Sequence, residues 1–454
     1  MTRSLTEDLV PGRLLATRDC FGYPVCVAKN SIQAPRGTRD FYPEDMRLRS
    51  WLFGHFRETA SRFGFEEVDA PILEHAELFT RKAGEEIVDQ LYHFEMHGRH
   101  LALRPEMTPS VARLVMARAG ALKMPLRWFT VTQNWRYERM TRGRLREHVQ
   151  WNMDIWGEEG VSAEAELIAA LLTLCHALGL PRGAVKVRIN SRALLEESLR
   201  QGVLAERPEA FEPLCVIIDK LDKIGPEAVT GLLCDADGPV GLAEDEAAQV
   251  LAMLAARSLE EAAAAGGAGS AALEDLKRLF ALLEAYGLGE EIVFDASVVR
   301  GLAYYTGIVF EAFDARAELR AICGGGRYDR LSETLGGKAI PAVGFGFGDV
   351  VIIELLRDLD LLPELPRQLD DVVFAFSDDE RPAAIRLASQ LRNEGRRVEL
   401  VLGRMKPKRV FADADAHGAE RVFVIGPDDV ARGTASMKEL ASGEQRDVPL
   451  PADG

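Results

Sequence analysis

At 454 residues the chain is too long for one ordinary domain, so two or three are expected. A hydrophobic content of 47% and a charged content of 28% are those of a soluble globular protein, and no run approaches ~18 consecutive apolar residues, which argues against a membrane span. The net charge of −16 argues against nucleic-acid binding through overall charge but leaves room for a local basic patch.

Residues 1–34 carry little periodicity and read as an N-terminal extension. They lack the continuous apolar core and small-residue cleavage site of a secretory signal. Acids at Glu7, Asp8 and Asp19, with few hydroxyls, disfavour a transit peptide. The six cysteines, Cys20, Cys26, Cys175, Cys215, Cys234 and Cys323, contain no Cys-x-x-Cys pair. Cys20 and Cys26 could pair, but free thiols in a reducing cytoplasm are the simpler reading.

From Asp45 to Phe63, Met46, Leu48, Trp51, Leu52, Phe56 and Ala60 recur at helical spacing. Gly64 ends that helix, and Val68, Ala70 and Ile72 then alternate like a strand interrupted by Pro71. "YHFEMHGRHLALRP" reads as a hairpin turning at His97-Gly98-Arg99. "TPSVARLVMARAG" is a helix with Thr108 as N-cap and Pro109 at its first position. "LRWFTVTQNWRYE" and "REHVQWNMDIWG" are strand-like and joined by an arginine-rich turn. "AEAELIAALLTLCHALGL" is a helix ending at Gly179, and "AVKVRIN" a strand. Residues 191–290, rich in Ala, Leu and Glu, read as a helical insertion. Strands resume with "IVFDASVV", "TGIVFEAFD" and "LRAICGGG". After the proline-punctuated linker "LLPELPRQLD", strands and helices alternate to the end, as in a small α/β domain with a parallel sheet.

Five arginines, Arg136, Arg139, Arg142, Arg144 and Arg146, stand between the two central strands. A solvated loop is one reading. Because strands aim alternate side chains at one face, and the guanidinium fork matches phosphate, an anionic substrate is the other. In "LRPEMT", Glu106 and Thr108 could receive an ammonium group, or the threonine could merely cap a helix. In "VVRGLAYYTGIVFE", Arg300 precedes adjacent Tyr304 and Tyr305, of which only one can face a pocket in extended chain. His93, His97 and His100 match no common zinc spacing, and a hairpin turn explains them, so no metal site is assigned.

Together, "ELFTRKAGEE", "LRPEMT", "RYERMTRGRLRE" and "RGLAYYTG" resemble, in order and spacing, the signatures of histidyl-tRNA synthetases, which are class II aminoacyl-tRNA synthetases. The resemblance runs from "APRGTRDFYPED" to "GTASMKEL". It implies an α+β fold: a catalytic domain over residues 35–190 and 291–362 on a mainly antiparallel six-stranded sheet, a helical insertion over 191–290, and an anticodon-binding domain over 370–454. It also implies a homodimer, ATP and histidine as substrates with Mg²⁺ accompanying ATP, a histidine tRNA as partner, no permanently bound cofactor, and a cytoplasmic, non-membrane protein.

By motif position, Arg136 and Arg300 would be the catalytic arginines, contacting the α-phosphate and the carboxylate. Glu106 and Thr108 would hold the α-amino group, with Gln150 close by, and Asp154, Tyr304 and Tyr305 would contact the imidazole. Arg136, Arg144, Gly344, Gly346 and Gly348 would bind ATP, the alternating glycines of "GFGFGD" leaving a flat face for adenine. Arg142, with Arg404, Lys406, Lys408 and Arg409 of a basic C-terminal stretch, would meet tRNA. Five positions depart from the pattern. Met140 and Thr141 replace Pro and Gln of many relatives, and Ala303 stands where many have Asp. Val350 and Val351 replace the Glu-Arg that usually follows the glycine strand, so no phosphate arginine comes from that motif; another cation, with one from the 139–146 turn as candidate, would substitute. A non-catalytic relative, the regulatory subunit of ATP phosphoribosyltransferase, is the alternative; it typically lacks the anticodon-binding domain.

Overall fold

The computed structural model describes residues 15–18, 24–27, 32–81, 88–267, 269–302 and 304–452. The Cys20–Cys26 question, the second half of "ELFTRKAGEE", Ala303 and most of the N-terminal extension lie outside them. The chain divides into two compact units, one of Met1–Phe41 with Arg49–Leu362, the other of Tyr42–Leu48 with Pro363–Gly454.

In the first unit, β1 (Leu15–Arg18) and β2 (Pro24–Val27) form a hairpin. Helix α1 (Pro43–Arg62) leads into β3 (Glu66–Glu67). A three-stranded sheet comprises β4 (Leu73–His75), β5 (His93–Met96) and β6 (Arg99–Leu103). Then come α2 (Thr108–Arg118), β7 (Leu126–Trp135), β8 (Glu147–Trp156), α3 (Ser162–Ala177) and β9 (Val185–Ser191). After a helical stretch come β10 (Ile292–Phe294), β11 (Ile308–Asp314), β12 (Cys323–Arg327), β13 (Ala342–Gly348) and α4 (Asp349–Asp358).

The main sheet runs β10-β9-β11-β12-β13-β8-β7-β3. Its six central strands are antiparallel, as the resemblance implied. Two edge strands, β10 and β3, pair parallel with their neighbours and bring the total to eight. They are two or three residues long, too short for periodicity to reveal. The expected strand over Val68–Ile72 is absent: β3 and β4 lie on either side of it, and Pro71 offers no N–H to a ladder.

Strand alternation divides the sheet chemically. One face carries Val149, Trp151 and Met153 from β8 with Phe345 and Phe347 from β13, all buried. Helix α1 covers that face with Leu52, Phe56 and Ala60. The Phe56 ring stacks 5.4 Å from Trp151 and meets Phe347 edge-on at 5.7 Å. Helix α3 is apolar nearly all round and correspondingly buried. Its Glu164 forms a buried two-point pair with Arg327 at the end of β12, at 2.6 and 2.7 Å. The insertion between β9 and β10 is helical, as predicted, and has its own core around Leu199, Leu214, Val229 and Val250.

The second unit is a five-stranded sheet of β14 (Asp371–Ala375), β15 (Val398–Leu400), β16 (Arg421–Ile425), β17 (Thr434–Glu439) and β18 (Gln445–Pro449), in the order β15-β14-β16-β17-β18. Helices α5 (Arg381–Asn393) and α6 (Pro407–Ala416) connect its first three strands. Those strands are parallel, as expected, but β17 and β18 add antiparallel, so the sheet is mixed. Among the described residues no helix is long and apolar enough to cross a membrane.

Phe56 is the ring through which α1 grips the sheet. Phe56→Ala is expected to cost roughly 3–5 kcal/mol of stability, read from the urea midpoint of the first unit's transition. A change below ~1 kcal/mol would contradict this account of the core.

Candidate active site

The opposite face of the main sheet is polar and partly bare. Across β12 and β13, Gly324 opposes Gly346 and Gly326 opposes Gly344. Across β13 and β8, Gly344 opposes Asp154, Gly346 opposes Asn152 and Gly348 opposes Gln150. A methyl group on Gly344 would run into the Asp154 carboxylate and stand 2.6 Å from the Tyr328 hydroxyl. On Gly324 it would stand 2.5 Å from the Arg300 guanidinium carbon, and on Gly346 it would stand 3.3 Å from Gln150 Nε2. The absent side chains are therefore the room that the functional groups occupy.

At one end sits Asp154, 1% exposed. Its Oδ1 accepts from the hydroxyl of Tyr328, while Oδ2 has no partner among the described residues. Burial pushes this carboxyl up to about 7, against which the Tyr328 bond works only partly. Tyr304 and Tyr305 both lean towards Tyr328, their ring centres 5.8 and 6.4 Å from it. The expectation that only one could face the pocket fails because the segment after Arg300 is not extended. The Tyr304 hydroxyl donates to Glu106 Oε2 at 3.0 Å.

Glu106 is held in place by its neighbour Arg104. That side chain, 2% exposed, donates to the Gln133 and Ala70 carbonyls, and its own carbonyl accepts from Trp135 N–H at 2.9 Å. Burial raises the Glu106 carboxyl above its usual range, despite Arg136 and Tyr304. Thr108 is buried beside it, but it opens α2 from inside and its side chain makes no cap bond. The capping reading is corrected, and its hydroxyl stays available. Gln150 accepts from Asn134 Nδ2 at 2.9 Å.

The other end is cationic. Arg136 donates from Nε to the Pro105 carbonyl at 2.9 Å, and its Nη2 lies 3.8 Å from Glu106. Arg300 has a left-handed backbone, φ 62°, and pairs with Glu311. That conformation costs a non-glycine residue ~1 kcal/mol or more. Arg144 pairs with Glu138. Burial would raise Glu138, but Arg144, Arg136 and Arg320 hold it below the usual range. His148 is pushed down to about 3 by burial and by Arg136, Arg39 and Arg320, so it is neutral here. Asp349, which ends the glycine strand, accepts from Val149 N–H at 2.9 Å and from Arg39 at 2.8 Å, tying α4 to β8.

Asp154, Gln150, Glu106, Thr108, Tyr304, Tyr305, Arg136, Arg300, Gly344, Gly346 and Gly348 thus all belong to this face or its rim. Arg142 points elsewhere, paired with Glu354 at 2.9 Å and Asp358 at 2.5 Å. In the second unit most of the basic stretch is neutralised: Arg396 and Arg397 by Asp371 and Asp370, Arg404 by Asp378, Arg409 by Asp413. Lys406 and Lys408 are exposed. His93 and His100 contact each other through ring nitrogens 3.0 Å apart. Sequence reasoning missed Tyr328, Glu311 and Arg320, because nothing local distinguishes them from a core tyrosine and surface charges.

A family profile of histidyl-tRNA synthetase matches residues 37–348, and one of an anticodon-binding domain matches residues 371–451. The chain is 50% identical over 423 residues to the chloroplastic/mitochondrial histidine–tRNA ligase of Arabidopsis thaliana, covering 93% of this chain and 86% of that one. It is 40% identical over 423 residues to the histidine–tRNA ligase of Opitutus terrae, covering 92% and 96%. Among solved structures, a Nostoc histidyl-tRNA synthetase superposes with a TM-score of 0.72 at 24% identity, covering 93% of this chain and 97% of that one. A Bacillus halodurans protein described as an ATP phosphoribosyltransferase regulatory subunit/histidyl-tRNA synthetase superposes at 0.70 and 25%, covering 87% and 98%.

Raising a carboxyl from 3.8 to about 7 makes the folded state hold a proton that the unfolded chain releases. This contribution to stability is present at low pH and lost as pH rises through about 7. Asp154→Asn, which cannot ionise, is expected to flatten the fall in melting temperature between about pH 5 and about pH 8. A fall as steep as the wild type's would contradict the assignment.

Proposed function

The chain belongs to the histidyl-tRNA synthetase family, and from that premise we propose that it attaches histidine to its tRNA in two steps at the glycine-lined face. In the first, a carboxylate oxygen of histidine attacks the α-phosphorus of ATP in line, pyrophosphate leaves, and histidyl-adenylate forms. In the second, a ribose hydroxyl at the tRNA 3′ end attacks the acyl carbon and AMP leaves. No protein nucleophile is needed; the transition state needs fixed positive charge.

The observation that carries the reading is the unpartnered Oδ2 of Asp154, buried at one end of a face whose other end gathers arginines. An imidazole N–H supplies the missing donor, and the tyrosines line the ring's surroundings. A site built to bond both ring polar groups rejects analogues that lack them. Glu106, with its carboxyl raised by burial, would recover its charge when an α-ammonium arrives, with Thr108 and Gln150 beside it. Arg136 and Arg300 would hold the reacting carboxylate and α-phosphate, and Arg144 would lie farther along ATP. Gly346 and Gly348 leave backbone open to adenine, whereas the bare face of Gly344 is better accounted for by the Asp154–Tyr328 pair. Mg²⁺ would arrive held chiefly by ATP, because Glu138 and Glu311 are ion-paired.

Lys406 and Lys408, with Arg404 and Arg409 at the rim, would approach tRNA phosphates. Arg142, about half exposed, would meet the acceptor end. A homodimer is supported by exposed Ile72, Leu73, Phe94 and Met96 on and beside the small sheet. Free Cys175, Cys215, Cys234 and Cys323 suit a reducing compartment, in keeping with a cytoplasmic enzyme. The regulatory-subunit reading has less support, because the signatures and the anticodon-binding domain are both retained.

Histidine-dependent ATP–pyrophosphate exchange tests the proposal. Exchange is expected with histidine and not with other amino acids; a folded protein without it, or one that stimulates ATP phosphoribosyltransferase, would overturn the ligase reading. Arg300→Ala is expected to lower exchange by roughly a hundredfold or more with an unchanged melting temperature. An unchanged rate would refute the role given to Arg300.

A further inference from the structure

The position where relatives place an arginine after the glycine strand is occupied by Val351, 5% exposed and apolar. Of the arginines of the preceding turn, Arg139 is exposed and has no ion pair among the described residues, while the other three are engaged. Arg142 is taken by Glu354 and Asp358, Arg144 by Glu138, and Arg146 lies 3.8 Å above the Tyr137 ring. Arg320 enters the same place from a different direction, just before β12. A methyl group on Gly143, within the turn, would stand 3.2 Å from a Val351 methyl and 3.6 Å from Arg320 Cγ. Gly143 is thus flanked by both the valine and the arginine.

Arg320 is solvent-accessible and makes no hydrogen bond or ion pair among the described residues. The other arginines of the cluster have Glu106, Glu138 or Glu311 as partners. Its guanidinium is pushed down to about 10 by surrounding protein, then by Arg144, Arg136 and Arg300, with only Glu138 opposing. A cation crowded by like charges, whose one nearby acid, Glu138, is already paired with Arg144, is unfavourable until an anion arrives. Its planar fork matches two phosphate oxygens at once.

We propose that Arg320 is a phosphate ligand for ATP, holding the β- and γ-phosphates beyond Arg144 on a track that begins at Arg136 and Arg300. The proposal rests on the ligase reading for the identity of the nucleotide, but its test does not depend on turnover. Calorimetric titration of the wild type and Arg320→Gln with ATP and with AMP, each with Mg²⁺, separates the phosphate tail from the rest. ATP affinity is expected to fall roughly ten- to a hundredfold in Arg320→Gln with AMP affinity unchanged. Arg320→Lys, which keeps the charge but not the fork, is expected to lose part of this, and both variants should melt with the wild type because the side chain is accessible. In exchange assays the KM for ATP should rise while that for histidine stays. Equal ATP binding by wild type and Arg320→Gln would overturn the proposal, as would an equal loss for AMP, or a wild type that binds ATP no more tightly than AMP. A wild type that binds ATP but exchanges nothing would sink the ligase reading while leaving the ATP/AMP comparison decisive for Arg320.

Discussion

The structure depends on the two-residue period of its central strands. Every other side chain of β8 and β13 must face α1, and those positions are Val149, Trp151, Met153, Phe345 and Phe347. The intervening positions face away and are free to carry chemistry: Gln150, Asn152 and Asp154 on β8, and glycines on β13. A one-residue slip would exchange the two sets and bury the polar one against Phe56. The apolar face therefore fixes the register of the site without touching substrate.

On that face the glycines have a second job. Glycine in a strand is ordinarily a loss, because it packs nothing and costs backbone entropy. Here it makes the face concave where the functional groups crowd. Gly344 admits the Asp154–Tyr328 pair and Gly324 admits the Arg300 guanidinium. The two ends then differ in sign. The acid end is protected from water and holds its carboxyl near neutrality. The cationic end is held open by paired arginines and a neutral His148. In the proposed reading, a substrate with an imidazole and an ammonium would occupy the first and a polyphosphate the second.

Much of this was legible in the sequence. The stripe of Leu52, Phe56 and Ala60 followed from periodicity, the paired strands from their strand-like runs, and the helical insertion from its Ala-, Leu- and Glu-rich composition. The placement of Asp154, Glu106, Arg136 and Arg300 followed from motif order. What escaped was long-range. Tyr328 meets Asp154 across 174 positions, and Arg320 reaches its cluster from the segment just before β12. The ion pairs of the basic stretch near residue 400 escaped because its acids, Asp370, Asp371 and Asp378, lie earlier in the chain. The paired tyrosines were misjudged because the backbone after Arg300 turns instead of extending. In all but this last case the deciding partner came from another element, where local pattern carries no information.

The central claim is that the bare glycine face exists to seat reacting groups and not to pack the fold. Histidine-dependent exchange by Gly324→Ala tests it most directly, since the three atoms nearest the added methyl all belong to the Arg300 guanidinium. The account predicts a melting temperature close to the wild type's and an exchange rate lower by on the order of a hundredfold, as Arg300 is displaced. Full exchange activity in the folded variant would contradict it.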